Sequence, residues 1–485
     1  MSSADRPTPH CDVLVVGARI SGAALAIRLA LAGRSVALVD RAGFPSDTLS
    51  THLIQVTGVQ LLQELGVLDR MKATGARFLD HMSVVYDRIQ LSTDVEAGPG
   101  SPPGGMSVSR DLLDQFLIDR AVEVGVDVRL KTSLVDLDRD AAGRVSAARL
   151  RGPDGPELLH TDLVVGADGR GSKVATLVGA RTYNTTVNER FTYWADFAGV
   201  APDTPPGHHY RDGEDITIAF WTDGGRFTVM IAPDLPGFAD FKRDVGASFD
   251  AAVARCEPLR PALAGAKRVS RPIGTAFFPG YFRESAGPGW ALIGDAGHFK
   301  DPTLGQGISD ALRQTDRLAR QLAAVDLADH TAVDRVTRRW WAWRDRDAMP
   351  MYWFGHDFAK GGPLGVLERE LLRAIAARPR VRQKFVDGVL SHRVSPYQVI
   401  TPRLLLTSAR SAVRNGEWTV GEAVGTVGRR LLVELGRFRM LVRPRYGPLP
   451  RPTAGATGGE TVGRTSWASA EPADRPTARV RAREE

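Results

Sequence analysis

Val13-Leu14-Val15-Val16-Gly17-Ala18-Arg19-Ile20-Ser21-Gly22, VLVVGARISG, has the outline of a dinucleotide-binding turn, G-x-G-x-x-G, with an arginine in place of the middle glycine. Residues 12 to 16 form a continuous apolar run bounded by turn signals, as a strand buried in a parallel sheet does. Ile20 to Ala32, ISGAALAIRLALA, follows with helix formers, and Gly33 closes it. Ser35 to Asp40, SVALVD, is a second short apolar run ending in an acid, which completes a βαβ unit.

Each glycine of such a turn has its own work: Gly17 makes the tight turn, Gly22 lets helix and strand approach, and the middle glycine admits backbone to a pyrophosphate. Only the last role is compromised by Arg19. The arginine fits if its backbone still offers an N–H and its side chain swings out to phosphate or solvent, where a cation beside a diphosphate is favourable. Asp40, 23 residues after Gly17, stands where an acid accepts hydrogen bonds from an adenosine ribose, which suits FAD or NAD better than NADP.

The 485 residues suffice for about three domains. Two cysteines, Cys11 and Cys256, supply neither a CxxC nor a metal cluster, so no metal site is expected. No signal-peptide core opens the chain and no run reaches the roughly 18 to 20 apolar residues of a membrane span, so a cytoplasmic protein is expected. The net charge of +7 collects near the C-terminus, in Arg378 to Phe385 and Gly436 to Tyr446. With no stacking platform or nucleic-acid motif beside it, nucleic acid is not expected as a partner, and peripheral membrane contact is the less favoured reading against a solvated face.

Further along, a helix is expected over Gly58 to Met71 and another after Ser109, with Ser109 as N-cap. Residues 181 to 282 alternate and hold many aromatic and β-branched side chains, the composition of an antiparallel sheet. Strand-then-helix order returns in Gly289 to Ala319. Residues 356–447 read as mainly helical, and 448–485, poor in large apolar residues, as a disordered tail. The fold class expected is α/β: a Rossmann-like domain from 11–78, 105–178 and 283–355, and an inserted, mainly antiparallel substrate domain from 79–104 and 179–282.

Two further stretches, Leu163 to Ala175 (LVVGADGRGSKVA) and Gly289 to Ala319 (GWALIGDAGHFKDPTLGQGISDALRQTDRLA), resemble the DG and GD motifs of the FAD-dependent aromatic hydroxylase-like flavoproteins. That superfamily, with its PHBH-like fold, takes in group A flavoprotein monooxygenases, geranylgeranyl-reductase-like enzymes and flavin halogenases. The resemblance spans about residues 10 to 345. It implies that Gly294 and Asp295 serve the ribityl chain of FAD, and that Pro302, Gly305 and Gly307 set a helix N-terminus beside the isoalloxazine ring. Such a terminus stabilises electron density on a reduced flavin. It further implies Asp168 and Gly169 near the diphosphate and Arg110 against FAD. Asp40 to Ile54 resembles the segment beneath the flavin, where Arg41, Thr51 and His52 are candidates for phosphate or ring; His52 is a weak candidate for catalysis.

The absence of a second G-x-G-x-x-G after a strand argues against a separate nicotinamide domain, so NAD(P)H is expected to act as a transient reductant. The resemblance implies a monooxygenase of secondary metabolism, in which O2 on the reduced flavin gives a C4a-hydroperoxide and one oxygen atom hydroxylates or epoxidises a hydrophobic organic substrate. Tyr193, Trp194, Asp196, Tyr210, Phe220 and Trp221 are the pocket candidates, although alternation sends half of any strand away from a ligand. The alternatives are a geranylgeranyl-reductase-like C=C reductase, weakened by the lack of a cysteine in Phe44 to Ile54, and a redox-neutral FAD-containing cyclase. A halogenase is disfavoured because no W-x-W-x-I-P occurs.

Overall fold

The computed structural model describes residues 9–46, 48, 50 and 52–450. Its first sheet is built on the opening strand, His10–Val16, which pairs in parallel with Val36–Val39 on one side and Gly155–Gly166 on the other. Gly155–Gly166 pairs at its C-terminal end with Trp290–Leu292, also in parallel, and Asp127–Arg129 extends the far side. The register puts Val39, Val16, Gly166 and Leu292 in one row across the sheet. The three turns singled out in the sequence therefore leave neighbouring strands at the same edge, the carboxyl edge where parallel α/β sheets bind ligands.

One face of this sheet is covered by Ile20–Leu31, Arg110–Glu123 and Gly307–Ala323, whose apolar sides meet Val13, Val15, Leu38 and Leu163 in a single core. Fully burying each such side chain stabilises the fold by about 1.5–3 kcal/mol. On the other face, Leu14, Val16 and Val164 meet Leu150 and Leu159 of an antiparallel meander, Ser133–Arg139, Val145–Gly152 and the first half of Gly155–Gly166.

A second, larger sheet runs in the order Lys267–Arg268, Thr192–Ala198, Phe227–Ile231, Asp215–Trp221, Gly207–Asp212, His81–Tyr86, Ile89–Gln90, with Ile273–Thr275 and Thr93–Asp94 off this path. It is antiparallel except between Gly207–Asp212 and His81–Tyr86. Its two faces differ. Tyr193, Phe197, Tyr210 and Trp221 pack outward against Phe238, Phe241 and Phe249, while Trp194, Ile218, Phe220 and Met230 face inward to Leu53 and Leu79.

The helix expected over 58–71 is two helices, Val56–Glu64 and Leu68–Ala73, because Gly66 takes a φ of +82° that ends the first. His330–Phe358, 29 residues long, runs straight through the boundary expected at residue 355. The C-terminal helices Val366–Ala376, Pro402–Arg414 and Val420–Val442 follow. A single π-helical stretch, Lys384–Leu390, lies among them. Part of this region packs on Val84, Tyr86 and Leu304, at one end of the inward sheet face. From residue 451 onward the expected tail lies outside the described residues.

Candidate functional site

The carboxyl edge of the first sheet is locked by close backbone approach. Gly17 has a φ of +106°, and a Cβ there would lie 2.5 Å from the Ala167 carbonyl oxygen and 2.9 Å from the Asp168 nitrogen. A Cβ on Gly22 would lie 1.8 Å from the Gly17 oxygen, and one on Gly294 2.3 Å from Ser21 Oγ. The first turn thus rests on the second, and the third on the helix that the first begins. Only glycine satisfies both the space and the positive φ at Gly17 and Gly294.

Asp40 ties this edge together. Its Oδ2 accepts from the Ala18 N–H and its Oδ1 from the Ala42 N–H, both at 2.8 Å. Each oxygen retains acceptor capacity for a hydroxyl. Helix Ile20–Leu31 starts next to it with no side-chain cap, so its first N–H groups and partial positive charge point from the edge.

Arg19 does not swing out, as the sequence reading expected, to phosphate or solvent. Its Nη1 lies 2.7 Å from Asp114 Oδ2 and its Nη2 donates to Ser46 Oγ at 3.1 Å, with Phe44 beneath the guanidinium. Asp114, fully buried, also accepts from Arg110 Nε and Nη2 at 3.0–3.2 Å. One carboxylate thus holds two guanidiniums at the edge and leaves a net positive charge. The sequence reading missed Asp114; its position one helical turn after Arg110 was the available signal. Ser109 does not cap its helix as expected, because its Oγ and N–H are both committed to Asp223.

Arg41 is exposed near the same edge, and His52 is buried with a φ of +63°. Thr51 lies outside the described residues. Asp168 acts locally: its carboxylate accepts from Ser172 Oγ at 2.6 Å and from the Lys173 and Val174 N–H groups at 2.6 and 3.1 Å. It fixes the start of helix Lys173–Leu177, while Gly169, at φ +77°, makes the turn. These bonds take up most of the Asp168 carboxylate, and its backbone is what Gly17 touches.

Asp295 has an exposed side chain although protein surrounds it, the circumstance of a group on the floor of a cleft. Desolvation pushes its carboxyl up from the ordinary range, against the opposing fields of Arg170, Arg110 and Arg283. Pro302 opens a short turn, Pro302–Leu304; Gly305 follows at φ +61°, with its Cβ position 2.5 Å from Leu53, and the long helix begins at Gly307. Gln55 donates to the Gly305 oxygen at 3.3 Å and its N–H to Ser309 Oγ at 2.9 Å, so the segment after His52 lies directly on this helix start.

Two buried constellations support that turn and were not foreseen. Asp301 accepts from the Thr303 N–H at 2.9 Å and also from its hydroxyl, and burial pushes its carboxyl up to about 6. His209, from the inward face of the second sheet, donates through Nε2 to the Thr303 oxygen at 3.1 Å and accepts at Nδ1 from Tyr86 at 2.9 Å. The carbonyl partner fixes that tautomer, and burial pulls the His209 imidazole down to about 4, so it is neutral at pH 7.

Beneath the helix start lies a buried ionic group. Asp310 receives Lys300 Nζ and His392 Nδ1, each at 2.5 Å, with Arg313 at 3.7 Å. Burial raises the Asp310 carboxyl, but His392 and Lys300 outweigh it and hold the carboxyl well below its usual range. Lys300 also donates to Gln306, whose amide reaches the oxygens of Val389 and Leu390 at the end of the π-helical stretch. Residues some 80 positions apart, in a segment the sequence could not place, thus hold the Gly305–Gly307 turn from below.

Among the pocket candidates, Phe220 and Trp194 lie on the inward sheet face toward Leu53, and Tyr193, Tyr210 and Trp221 on the outward one. Tyr210 is bonded to His208 at 2.7 Å, and Trp221 to the Thr204 oxygen at 3.1 Å. Asp196 is committed to Arg226 at 2.9 Å and Thr228 at 2.7 Å. Tyr193 and Tyr210 are therefore core residues, and Asp196 an ion-pair partner; the alternation was correct and the facing could not be read. Inward His209 was the pocket-side residue passed over beside Tyr210.

A family described as FAD binding domain matches residues 10–247. Over 328 residues the chain is 30% identical to a menaquinone reductase of Mycolicibacterium smegmatis, covering 64% of this chain and 76% of that protein. It is 26% identical to a 6-methylpretetramide 4-monooxygenase of Streptomyces rimosus, over 68% and 82% of the two chains. Among solved structures, a myxobacterial chondrochloren halogenase, described as FAD-dependent, shares its fold with a TM-score of 0.64 at 20% identity, over 82% and 97% of the chains. The anhydrotetracycline hydroxylase of Streptomyces rimosus does so with a TM-score of 0.59 at 23%, over 79% and 76%. FAD fits the locked turns, the paired Asp40 and the arginine-flanked Asp295 cleft as they stand. With its three motifs in register on one sheet edge, the chain belongs to the FAD-dependent aromatic hydroxylase-like superfamily and is an FAD-dependent oxidoreductase.

Proposed function

We propose that this protein is a monooxygenase that uses NAD(P)H and O2 to hydroxylate or epoxidise a hydrophobic organic substrate of secondary metabolism. The observation that carries the reading is the apolar inward face of Trp194, Ile218, Phe220 and Met230, set through Leu53 against the Gly305 turn. An apolar wall at that turn excludes water from the reacting centre, which oxygen transfer requires. FAD, when bound, supplies electron transfer and the reaction with oxygen. The 6-methylpretetramide 4-monooxygenase relative supports the reaction class.

In this reading Gly17, Gly22 and the start of Ile20–Leu31 receive the diphosphate, and Asp40 the adenosine ribose. Arg19, Arg41 and Arg110 supply positive charge, with Asp168 and Gly169 shaping the adjoining turn. Gly294 and Asp295 receive the ribityl chain. Pro302, Gly305 and Gly307 present the helix start to the flavin ring, and His209 holds the turn by its bond to Thr303. The FAD-binding part is assembled from 11–78, 105–178 and 283–355, and the substrate part from 79–104 and 179–282.

The test is the visible spectrum of the holoenzyme under anaerobic NADH or NADPH, then air, with product analysis. Bleaching, recolouring by oxygen and an oxygenated product are expected. The menaquinone reductase relative favours a second reading, a reductase, and the C=C bond is the target we propose for it. Substrate consumed without oxygen, with two hydrogens gained, would decide for it.

A further inference from the structure

Helix Val420–Val442 presents an apolar stripe to solvent. Val420, Val424, Leu431, Leu435, Phe438 and Val442 each expose between 47 and 83% of their surface. They are separated by four, seven, four, three and four residues, so at about 3.6 residues per turn they fall on one side of the helix. The adjoining side is occupied: Ala423 and Val427 pack on Pro402–Arg414, Arg437 is bound to Asp357, and one edge of Phe438 meets Tyr397. The 23-residue stripe is about 34 Å long at ~1.5 Å per residue. Isolated exposed leucines need no explanation, but six large apolar side chains on one side of one helix do.

The charge around the stripe indicates what covers it. Residues 402–445 contain nine arginines against three glutamates and no lysine or aspartate, a net +6 out of the +7 of the whole chain. Arg429 and Arg439 are exposed on the helix itself, Arg443 just past its end, and Arg403, Arg410 and Arg414 on its neighbour. A second copy of the chain would set +6 against +6. An anionic lipid surface complements both properties at once, accepting the apolar side chains at its acyl boundary and the arginines at its phosphates. Among the described residues no helix is long and apolar enough to cross a membrane, so the contact lies in the interface.

We propose that Val420–Val442 docks this protein on anionic bilayers, seating its apolar stripe at the headgroup boundary. The inference is independent of the reaction the flavin performs. It reverses the weighting of the sequence reading, which favoured a solvated face, because the stripe becomes visible only when the helix and its buried side are known.

The experiment is flotation of the full-length holoprotein with vesicles of phosphatidylcholine alone or with about 30% phosphatidylglycerol, at low and high salt. Co-flotation with the anionic vesicles, weakened by salt, is expected. Val442→Glu, at the exposed helix end, and Arg439→Gln with Arg443→Gln should each reduce the bound fraction about tenfold while retaining flavin absorbance and Tm. Protein that remains in the aqueous phase with both vesicle types overturns the proposal. So does a dimer in light scattering that Val442→Glu converts to monomer.

Discussion

Nη1 of Arg19 lies 2.7 Å from Oδ2 of Asp114, a carboxylate with no exposed surface, and Arg110 binds the same carboxylate from its other side. The departure from the glycine fingerprint is therefore part of a three-residue ionic group, and the cost of removing a member depends on which one is removed. Arg19→Gly leaves Asp114 with Arg110 and restores the common turn; it should cost about 1–2 kcal/mol of stability and keep FAD binding. Asp114→Ala takes the shared carboxylate from two guanidiniums, one of them buried, and should cost about 3–5 kcal/mol. Denaturant midpoints and bound-flavin absorbance of the two variants check this. A colourless Arg19→Gly protein would show that the arginine itself holds the cofactor.

Gly17→Ala probes the interlock of the first two turns. The new Cβ would stand 2.5 Å from the Ala167 oxygen in a left-handed backbone conformation. Both terms act against the folded state, and the obstructing atom is backbone, which cannot rotate away. A loss of at least about 3 kcal/mol is expected, together with loss of flavin, measured by thermal melting and by absorbance after gel filtration.

Asp295→Ala should release FAD while leaving the fold nearly intact, because the carboxylate is exposed in its cleft and, among the described residues, Arg170, Arg110 and Arg283 act on it through their fields rather than through hydrogen bonds. The expected outcome is a flavin Kd raised at least about a hundredfold, with a Tm within about 2 °C of the parent when both are flavin-free. Stoichiometric, normally bound flavin in the variant would remove Asp295 from the site.

The first sheet and its three turns were legible because each depends on local signals: apolar runs of strand length, glycines where backbone must approach, and acids at fixed distances. What was not legible depends on pairing between distant segments. Nothing near Arg19 announces Asp114, 95 positions away, and nothing near Gln306 announces the Val389 and Leu390 carbonyls. The facing of the second sheet failed for the same reason. Alternation separates Tyr193 from Trp194 and His209 from Tyr210, but which member faces the FAD-binding part is set by helices at 238–255, whose docking no strand motif encodes.

His209 should make the protein acid-labile. Its imidazole is held near 4 when folded and ordinarily titrates near 6.5. Between these values the unfolded chain binds a proton that the folded chain does not, so stability rises with pH through the window and falls on acidification. The full difference is about 3 kcal/mol, reached below pH 4. His209→Gln keeps a donor for the Thr303 oxygen and removes the titration, so urea midpoints measured from pH 4 to 7 should show a shallower slope. His208, also held near 4, leaves part of the slope in place.

The buried group beneath the helix start gives the sharpest contrast between removing a charge and removing a network. Asp310 neutralises Lys300 and holds His392 by a hydrogen bond, all three shielded from solvent, and the same Lys300 positions Gln306 against the π-helical stretch. Asp310→Asn keeps the shape but leaves Lys300 a buried, uncompensated cation, at a cost of about 3–5 kcal/mol and a Tm lower by roughly 3–5 °C. Because the Asp310 carboxyl is held well below its ordinary value, the stability it contributes is present above about pH 4 and is lost as pH falls through the folded value. Asp310→Asn should therefore lose less stability on acidification than the parent. Replacing the group together, with Lys300→Met, Asp310→Leu and His392→Phe, removes every charge and should recover most of the Tm. Flavin release should still be faster in the triple variant than in the parent, since Gln306 no longer receives Lys300. A triple variant with parental Tm and parental flavin release would mean that the group neither stabilises the turn nor positions it.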